Sequence, residues 1–148
     1  MSLSTISSEQ AKAIKTTLKN VHQVLDYLAT KLDATIKFHV SDMVLNTHSY
    51  SSYLSTNNTK SRASGNLFLG SFPKDVEPIT LNGAIFTFCT ILKFVASSAV
   101  EAELGALFMN VKEGRTIRLT LEELGHPKPL IPIHYDNVTV AGIANITI

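Results

Sequence analysis

The chain has 148 residues, of which 45% are hydrophobic and 17% charged, and its formal net charge is +1. This length and apolar content suit one globular domain with a core, and the charge lacks the basic footprint of many nucleic-acid-binding modules. A single cysteine, Cys89, excludes an internal disulfide and a cysteine-based zinc site. The polar amino terminus lacks a secretion signal, and the longest apolar run, 83–100, is shorter than the ~20 residues that span a bilayer. We therefore expect an intracellular protein, cytoplasmic or nuclear, with no membrane partner.

A long amphipathic helix is predicted near the amino terminus. Ser7 stands three residues before Gln10, which is the spacing of a capping box at the start of a helix. Apolar residues then recur at alternating intervals of four and three, so they share one helix face. They are Ile14, Leu18, Val21, Leu25, Leu28 and Leu32. This stripe could dock on the following domain or on a missing neighbour, or form a coiled-coil seam. Docking is the preferred interpretation because the repeat is short.

Three strands are predicted after a short strand or extended connector at 36–40. Residues 43–49 alternate in polarity and form the first strand, and 66–72 form the second. Residues 73–78 form a turn, and 79–95, rich in Ile, Phe, Val and Thr, contain a buried third strand in which Cys89 is a small core residue. Strands that follow one another through turns predict an antiparallel meander.

The polar stretch 56–65 lies between the first two strands and carries two cationic residues, Lys60 and Arg62. These side chains could contact the phosphates of a nucleic acid. Ser52, near the end of the first strand, is a further candidate for such a contact. The alternative is a solvated hairpin loop without a binding role.

The stretch 97–108 spans the change from the third strand to a helix and carries two carboxylates in the first turn of that helix. Ser98 precedes Glu101 at capping-box spacing, so the Ser98 hydroxyl should accept from the Glu101 amide while the Glu101 carboxylate accepts from the Ser98 amide. Glu103 borders the apolar stripe of the helix. A carboxylate there must be exposed at the rim, paired or bound to a cation, or it is an acid favoured by the helix dipole.

The helix is predicted to run to Leu124, with Gly114 as a weak point and Gly125 as the glycine that ends it. A fourth strand follows at 130–136. Because a helix separates it from the meander, we expect it to pair in parallel. Ligands collect at the carboxyl ends of such strands, where Asp136 lies. Alternatively, Asp136 and Asn137 only cap a last helix at 138–145.

Several motifs resemble the ribonuclease H domain at the end of copia-type retrotransposon polyproteins. Ala102-Glu103-Leu104 is similar to the family's Ala-Glu-Leu after a Ser/Ala-rich turn, and His134-Tyr135-Asp136-Asn137 is similar to its strand-end Asp-Asn. The segment 60–65, Lys-Ser-Arg-Ala-Ser-Gly, resembles its Lys-Ser-Arg-Ala-Gly-Gly. The motifs stand in the family's order and cover about 43–148. Residues 1–41 resemble the tail of the reverse transcriptase that precedes this domain.

The resemblance implies an α/β fold with a ribonuclease H-like mixed sheet, preceded by one amphipathic helix. The meander would be joined by a parallel strand after a crossover helix. It implies two parts, a leading helix and connector at 1–41 and a domain at 42–148 that is truncated at its carboxyl end. It also implies hydrolysis of RNA in an RNA–DNA hybrid, with two Mg²⁺ ions held by four acids. Glu103 and Asp136 match two of these catalytic metal ligands.

Tyr50 departs from the family pattern, because the first catalytic acid should stand there in the counterpart of Asp-Ala-Ser-Tyr-Leu. A neutral phenol is a poor ligand for Mg²⁺. The fourth acid would follow the last residue of the chain. We therefore expect hydrolysis to be lost or severely impaired. The alternatives are a non-catalytic domain that contacts hybrid or a reverse transcriptase domain, and a retroelement fragment without function.

Overall fold

The computed structural model describes residues 3–56, 58–72 and 81–145. The chain divides into two compact units, Met1–Ile36 and Lys37–Ile148. The described part of the first unit is helical, and that of the second unit combines a four-stranded mixed sheet with helices. Within the described ranges, no helix is both long and apolar enough to cross a membrane.

The leading unit contains α1 (Leu3–Ser8), a 3-10 turn (Gln10–Lys12) and α2 (Lys15–Ala29). The prediction of one helix capped by Ser7 was wrong, because Ser7 lies inside α1 and the backbone is extended at Ile14. Thr17 Oγ1 donates to the Glu9 carboxylate at 2.7 Å and accepts from the Ile14 amide at 3.3 Å. These two bonds fix the start of α2 after the extended residue.

The sheet contains β1 (Val44–Ser52), β2 (Arg62–Gly70), β3 (Ala84–Ile91) and β4 (Ile133–His134), in the order β3-β2-β1-β4. β2 pairs antiparallel with both β1 and β3, and β4 pairs parallel with β1. The predicted α/β class, antiparallel meander and parallel fourth strand are thereby confirmed. The connector 36–40 forms no strand, and β4 is shorter than predicted.

The strand boundaries differ from the prediction on both sides of the meander. β2 begins at Arg62, so part of the polar stretch enters the sheet. β3 ends at Ile91, and the prediction that it is buried was wrong, because it is an edge strand in which no residue is buried and half of the residues are exposed. Cys89 is exposed, so it is not a core residue. The predicted turn at 73–78 lies outside the described residues.

Helix α3 (Ala99–Glu123) connects β3 to β4 and packs on one face of the sheet. Its buried residues recur every fourth position and are small or polar: Ala102, Ala106, Asn110 and Gly114. Gly114 is not a break, because the helix continues through it and approaches the Leu67 and Thr47 side chains of the sheet. Close packing, rather than bulky side chains, therefore holds α3 against β1 and β2.

The ends of α3 are capped by local hydrogen bonds. Ser98 Oγ accepts from the Glu101 amide at 3.2 Å, as predicted. The Glu101 carboxylate accepts from the amide and hydroxyl of Ser97, at 2.7 and 2.6 Å, and not from the predicted Ser98 amide. These bonds hold the pKa of Glu101 below its usual value. At the other end Gly125 has φ of +84°, which confirms its predicted role.

Candidate functional site

A small cleft lies where the carboxyl ends of β1 and β4 meet the start of α3. Its volume is about 50 Å³. In the register of the parallel pair, His48 lies opposite His134. Tyr50 and Asp136 each follow by two residues, so they reach equivalent positions on neighbouring chain segments. The cleft is lined by Ser49, Tyr50, Ser51, Glu103, Tyr135, Asp136 and Val140. All three positions that resemble catalytic acids therefore border one cleft.

Glu103 projects from the first part of α3, and its Oε2 atom is buried with no hydrogen-bond partner. The carboxylate of Glu101, two residues earlier, accepts two hydrogen bonds from Ser97. A buried carboxylate oxygen without a donor is unfavourable, because the water it has lost is not replaced. Full exposure at the rim therefore does not describe Glu103. Its buried oxygen can accept a hydrogen bond or contact a cation.

Asp136 is exposed at the other side of the cleft. Asn137, and not Asp136, caps the following helix α4 (Val138–Ala144). Its Oδ1 accepts from the amides of Thr139 and Val140, at 2.9 and 3.4 Å. The capping interpretation therefore applies to Asn137 alone, and the Asp136 carboxylate stands at the cleft without that structural role.

Tyr50 lines the cleft, but its phenol oxygen lies 3.0 Å from Nδ1 of His48. The His48 ring lies 5.0 Å from that of His134, whose Nε2 is 3.1 Å from Oδ1 of Asn46. Burial lowers the pKa of both histidines, and for His134 the charge of His48 lowers the pKa further. The histidines show no metal-ligand spacing in the sequence, which predicts that they are structural or exposed. The available signal was the i, i+2 spacing of His48 and Tyr50, which places both on one strand face.

The residues at the cleft do not fit a two-magnesium centre. Two such cations lie about 3.5–4 Å apart and repel each other, so several carboxylates must hold them. The cleft offers the carboxylates of Glu103 and Asp136, while Tyr50 offers a phenol. In the part of the chain that the structure describes, no group of three or more His, Cys, Asp or Glu residues could hold a metal ion.

The three candidate nucleic-acid contacts do not line the cleft. Ser52 is exposed at the end of β1, and Lys60 is half-buried. Arg62 is only 8% exposed, pairs with Ser52 across the strands, and has a buried Nε without a partner. The solvated-loop interpretation was therefore wrong for Arg62. The burial of Arg62 also disfavours a phosphate contact, because the side chain would first have to move out of its buried position.

Comparison with protein-family models, curated proteins and solved structures gives no match. The evidence for a function therefore comes from the residues of the chain and from the way that the sheet brings them together.

Proposed function

We propose that residues 42–148 are a ribonuclease H-like domain of the kind that ends copia-type retrotransposon polyproteins, and that its hydrolytic site is inactive. The supporting observation is that Tyr50, Glu103 and Asp136 border one cleft. They come from a strand, a helix and a strand end that are far apart in the sequence. The sheet order β3-β2-β1-β4, with a parallel β1–β4 pair, is compatible with this fold.

The proposed loss of activity follows from the chemistry of the cleft. Hydrolysis of the RNA strand of a hybrid by this family uses two magnesium ions to position water and the leaving oxygen. Here the first acid is replaced by Tyr50, whose phenol contacts His48. The remaining carboxylates, Glu103 and Asp136, are too few to offset the charge of two adjacent divalent cations.

The test is magnesium-dependent cleavage of a labelled RNA–DNA hybrid by the whole chain and its Tyr50→Asp variant. We expect no cleavage by the unaltered chain and a gain of cleavage in the variant, because the substitution adds a carboxylate at a position that lines the same cleft as Glu103 and Asp136. Tyr50→Asn is the matched control. Asparagine has about the size of aspartate and likewise removes the phenol, but it adds no charge, so this variant should not gain activity.

A further variant, Tyr50→Asp combined with Glu103→Gln, should lose any activity gained. Cleavage by the unaltered chain that is lost on Glu103→Gln would show that the site is active and overturn the proposed inactivity. If no variant cleaves and none binds the hybrid in a fluorescence anisotropy titration, the proposed ribonuclease H-like function is wrong. Binding of the hybrid without cleavage by any variant would replace it with the non-catalytic binding function.

A further inference from the structure

We propose that His48 and His134 form a binding site for a divalent transition-metal ion such as Zn²⁺, with the side-chain oxygen of Asn66 as a third contact. The three residues form a row across neighbouring strands. His48 on β1 lies opposite Asn66 on β2 and opposite His134 on β4. Side chains of directly paired residues project from the same face of a sheet, so all three share one face. None of them lines the cleft of the candidate functional site.

Two atoms of this row are buried and lack a hydrogen-bond partner. They are Nε2 of His48 and Oδ1 of Asn66. A buried polar atom without a partner costs free energy, because the water that it has lost is not replaced. The two atoms belong to directly opposed residues, and Cβ atoms of such a pair lie about 4.5–5.5 Å apart. An ion between the two side chains can therefore satisfy both atoms.

Asn46 determines which nitrogen of His134 is free. Its Nδ2 donates to the carbonyl oxygens of Val44 and Ser71, at 3.0 and 3.3 Å. Its Oδ1 therefore faces Nε2 of His134, at 3.1 Å. An amide oxygen only accepts hydrogen bonds, so Nε2 carries the hydrogen atom in this contact. The lone pair of the neutral His134 ring is then on Nδ1, where it is available to a metal ion.

The ring of His48 is held by its neighbours. Its Nδ1 lies 3.0 Å from the phenol oxygen of Tyr50. Its centroid lies 6.0 Å from that of the Tyr50 ring and 5.5 Å from that of the Phe68 ring. A phenol oxygen can accept a hydrogen bond from Nδ1, which leaves the lone pair on the buried Nε2. Metal-binding histidines are oriented in this way, because their other ring nitrogen donates to an oxygen.

The separation of the two histidine rings fits one shared ion. A nitrogen–zinc distance of about 2.0–2.1 Å at a tetrahedral ion places the centroids of two bound imidazoles about 5 Å apart. The ring centroids of His48 and His134 are 5.0 Å apart. Imidazole nitrogens suit zinc, nickel and copper, whereas magnesium prefers oxygen ligands. Since the row has two histidines, we expect an open site whose remaining positions are taken by water or by an external ligand.

The experiment is a calorimetric titration of the whole chain, freed of metal with a chelator, with Zn²⁺ and separately with Mg²⁺. We expect a single Zn²⁺ ion to bind per chain. It should also raise the midpoint of thermal unfolding, because an ion that binds only the folded chain stabilises it. Mg²⁺ at the same concentrations should have neither effect.

Long-range ¹H–¹⁵N spectra of the histidine rings identify the ligands in the unaltered chain. Zinc should shift the resonances of Nε2 of His48 and Nδ1 of His134. The rings of His22, His39 and His126 are exposed and should show no such shift.

Substitutions separate this site from other metal ligands of the chain. His48→Asn and His134→Asn should each weaken zinc binding by about tenfold or more, since even the partners that orient a ligand contribute that much. His126→Asn is the matched control, because it removes an exposed imidazole and should leave the affinity unchanged. Cys89→Ser should also leave it unchanged, which would exclude a site built on the exposed thiol.

Asn66→Asp tests the third contact by a gain of affinity. The substitution puts a carboxylate oxygen in place of the amide oxygen and adds a negative charge beside the ion. Zinc should therefore bind about tenfold more tightly. An affinity that is unchanged or lower would overturn the contact with Asn66.

The proposal would be overturned by the absence of zinc binding, by full affinity in both the His48→Asn and His134→Asn variants, or by ring shifts confined to the exposed histidines. The spectra use the unaltered chain, so they decide the question even if a variant does not fold. Glu103→Gln should bind zinc as the unaltered chain does, because Glu103 lines the separate cleft. Loss of zinc in that variant would assign the ion to the cleft and overturn the proposed site.

Discussion

The two faces of β1 hold their polar side chains in different ways. On the face toward α3, Asn110 Nδ2 donates to Ser49 Oγ at 3.0 Å and to the carbonyl oxygen of Ser64 at 3.1 Å. Asn110 and Ser49 are both buried. On the opposite face, His48 and His134 are only half-buried. Each face has a buried atom without a hydrogen-bond partner, Asn110 Oδ1 on the first and His48 Nε2 on the second. The first face is a buried polar junction, whereas the second carries half-buried histidines whose protonation can change.

The largest effect is expected from Asn110→Asp, which breaks the junction on the α3 face. The substitution removes the Nδ2 donor and places a carboxylate against the carbonyl oxygens of Ser64 and Ala106. A buried, unpaired charge of this kind costs about 3–5 kcal/mol of the free energy of unfolding. Denaturant unfolding at pH 7 measures the loss, which should become smaller in acid as the introduced carboxyl group is protonated.

Asn110→Leu is the matched control, because leucine has the same number of side-chain heavy atoms and the same branching as asparagine, and it adds no charge. It leaves Ser49 Oγ without its donor, so we expect a loss of about 1–3 kcal/mol. If the two variants are equally stable at pH 7, the Asn110 side chain is not enclosed, and the contrast between the two faces disappears.

The next largest difference in stability is expected between variants of two glycines that lie where α3 packs on the sheet. A Cβ atom on Gly65 would lie 2.0 Å from Asn110 Oδ1 and 2.3 Å from Phe88 Cε1. Asn110 is held by its hydrogen bonds, so it cannot easily move away. We expect Gly65→Ala to lower the free energy of unfolding by about 1–3 kcal/mol.

Gly114→Ala provides the comparison, because the nearest atom to its new Cβ is 3.4 Å away, on Ile131. Alanine is about 0.5–1 kcal/mol better than glycine within a helix. The chain should therefore become slightly more stable. Denaturant midpoints of the two variants should move in opposite directions, and a shift in the same direction would show that α3 does not pack on the sheet at these distances.

Much of the fold could be predicted because its signals are local. Gly125 ends α3, and Ser98 accepts from the Glu101 amide, since both roles depend on residues within one helical turn. The parallel β1–β4 pair followed from the helix between the strands. The break before α2 could not be predicted, because it depends on a bond between Glu9 and Thr17 that runs across it. The exposure of β3 was also missed, since a continuous apolar run does not identify an edge strand.

At the candidate site, the motifs pointed to Tyr50, Glu103 and Asp136, and the topology places all three on one cleft. Their catalytic roles stay predictions. The contact of Tyr50 with His48 lies within β1 and agrees with their i, i+2 spacing. The contact of His48 with His134 and the pairing of Arg62 with Ser52 depend on residues from other strands. Spacing within one segment could not give these tertiary contacts.

The smallest predicted effect tests the titratable face of β1. Burial lowers the pKa of His48 and of His134, so the unfolded chain binds protons more readily than the folded chain. Their contribution to stability is then fully present above the unfolded pKa of about 6.5, and it is lost as the pH falls through the lower folded values. We expect the free energy of unfolding to decrease toward acid. It is measured by denaturant unfolding at about pH 7.5 and at about pH 5.

His134→Asn should reduce this slope, because it removes one of the two facing histidines and the repulsion that its protonation would create with His48. His126→Asn is the matched control: His126 is exposed after α3, so the slope should stay as in the unaltered chain. An equal reduction by both variants would assign the pH dependence to histidines in general. An unchanged slope in His134→Asn would mean that the face carrying His48 and Tyr50 does not change its protonation in this pH range.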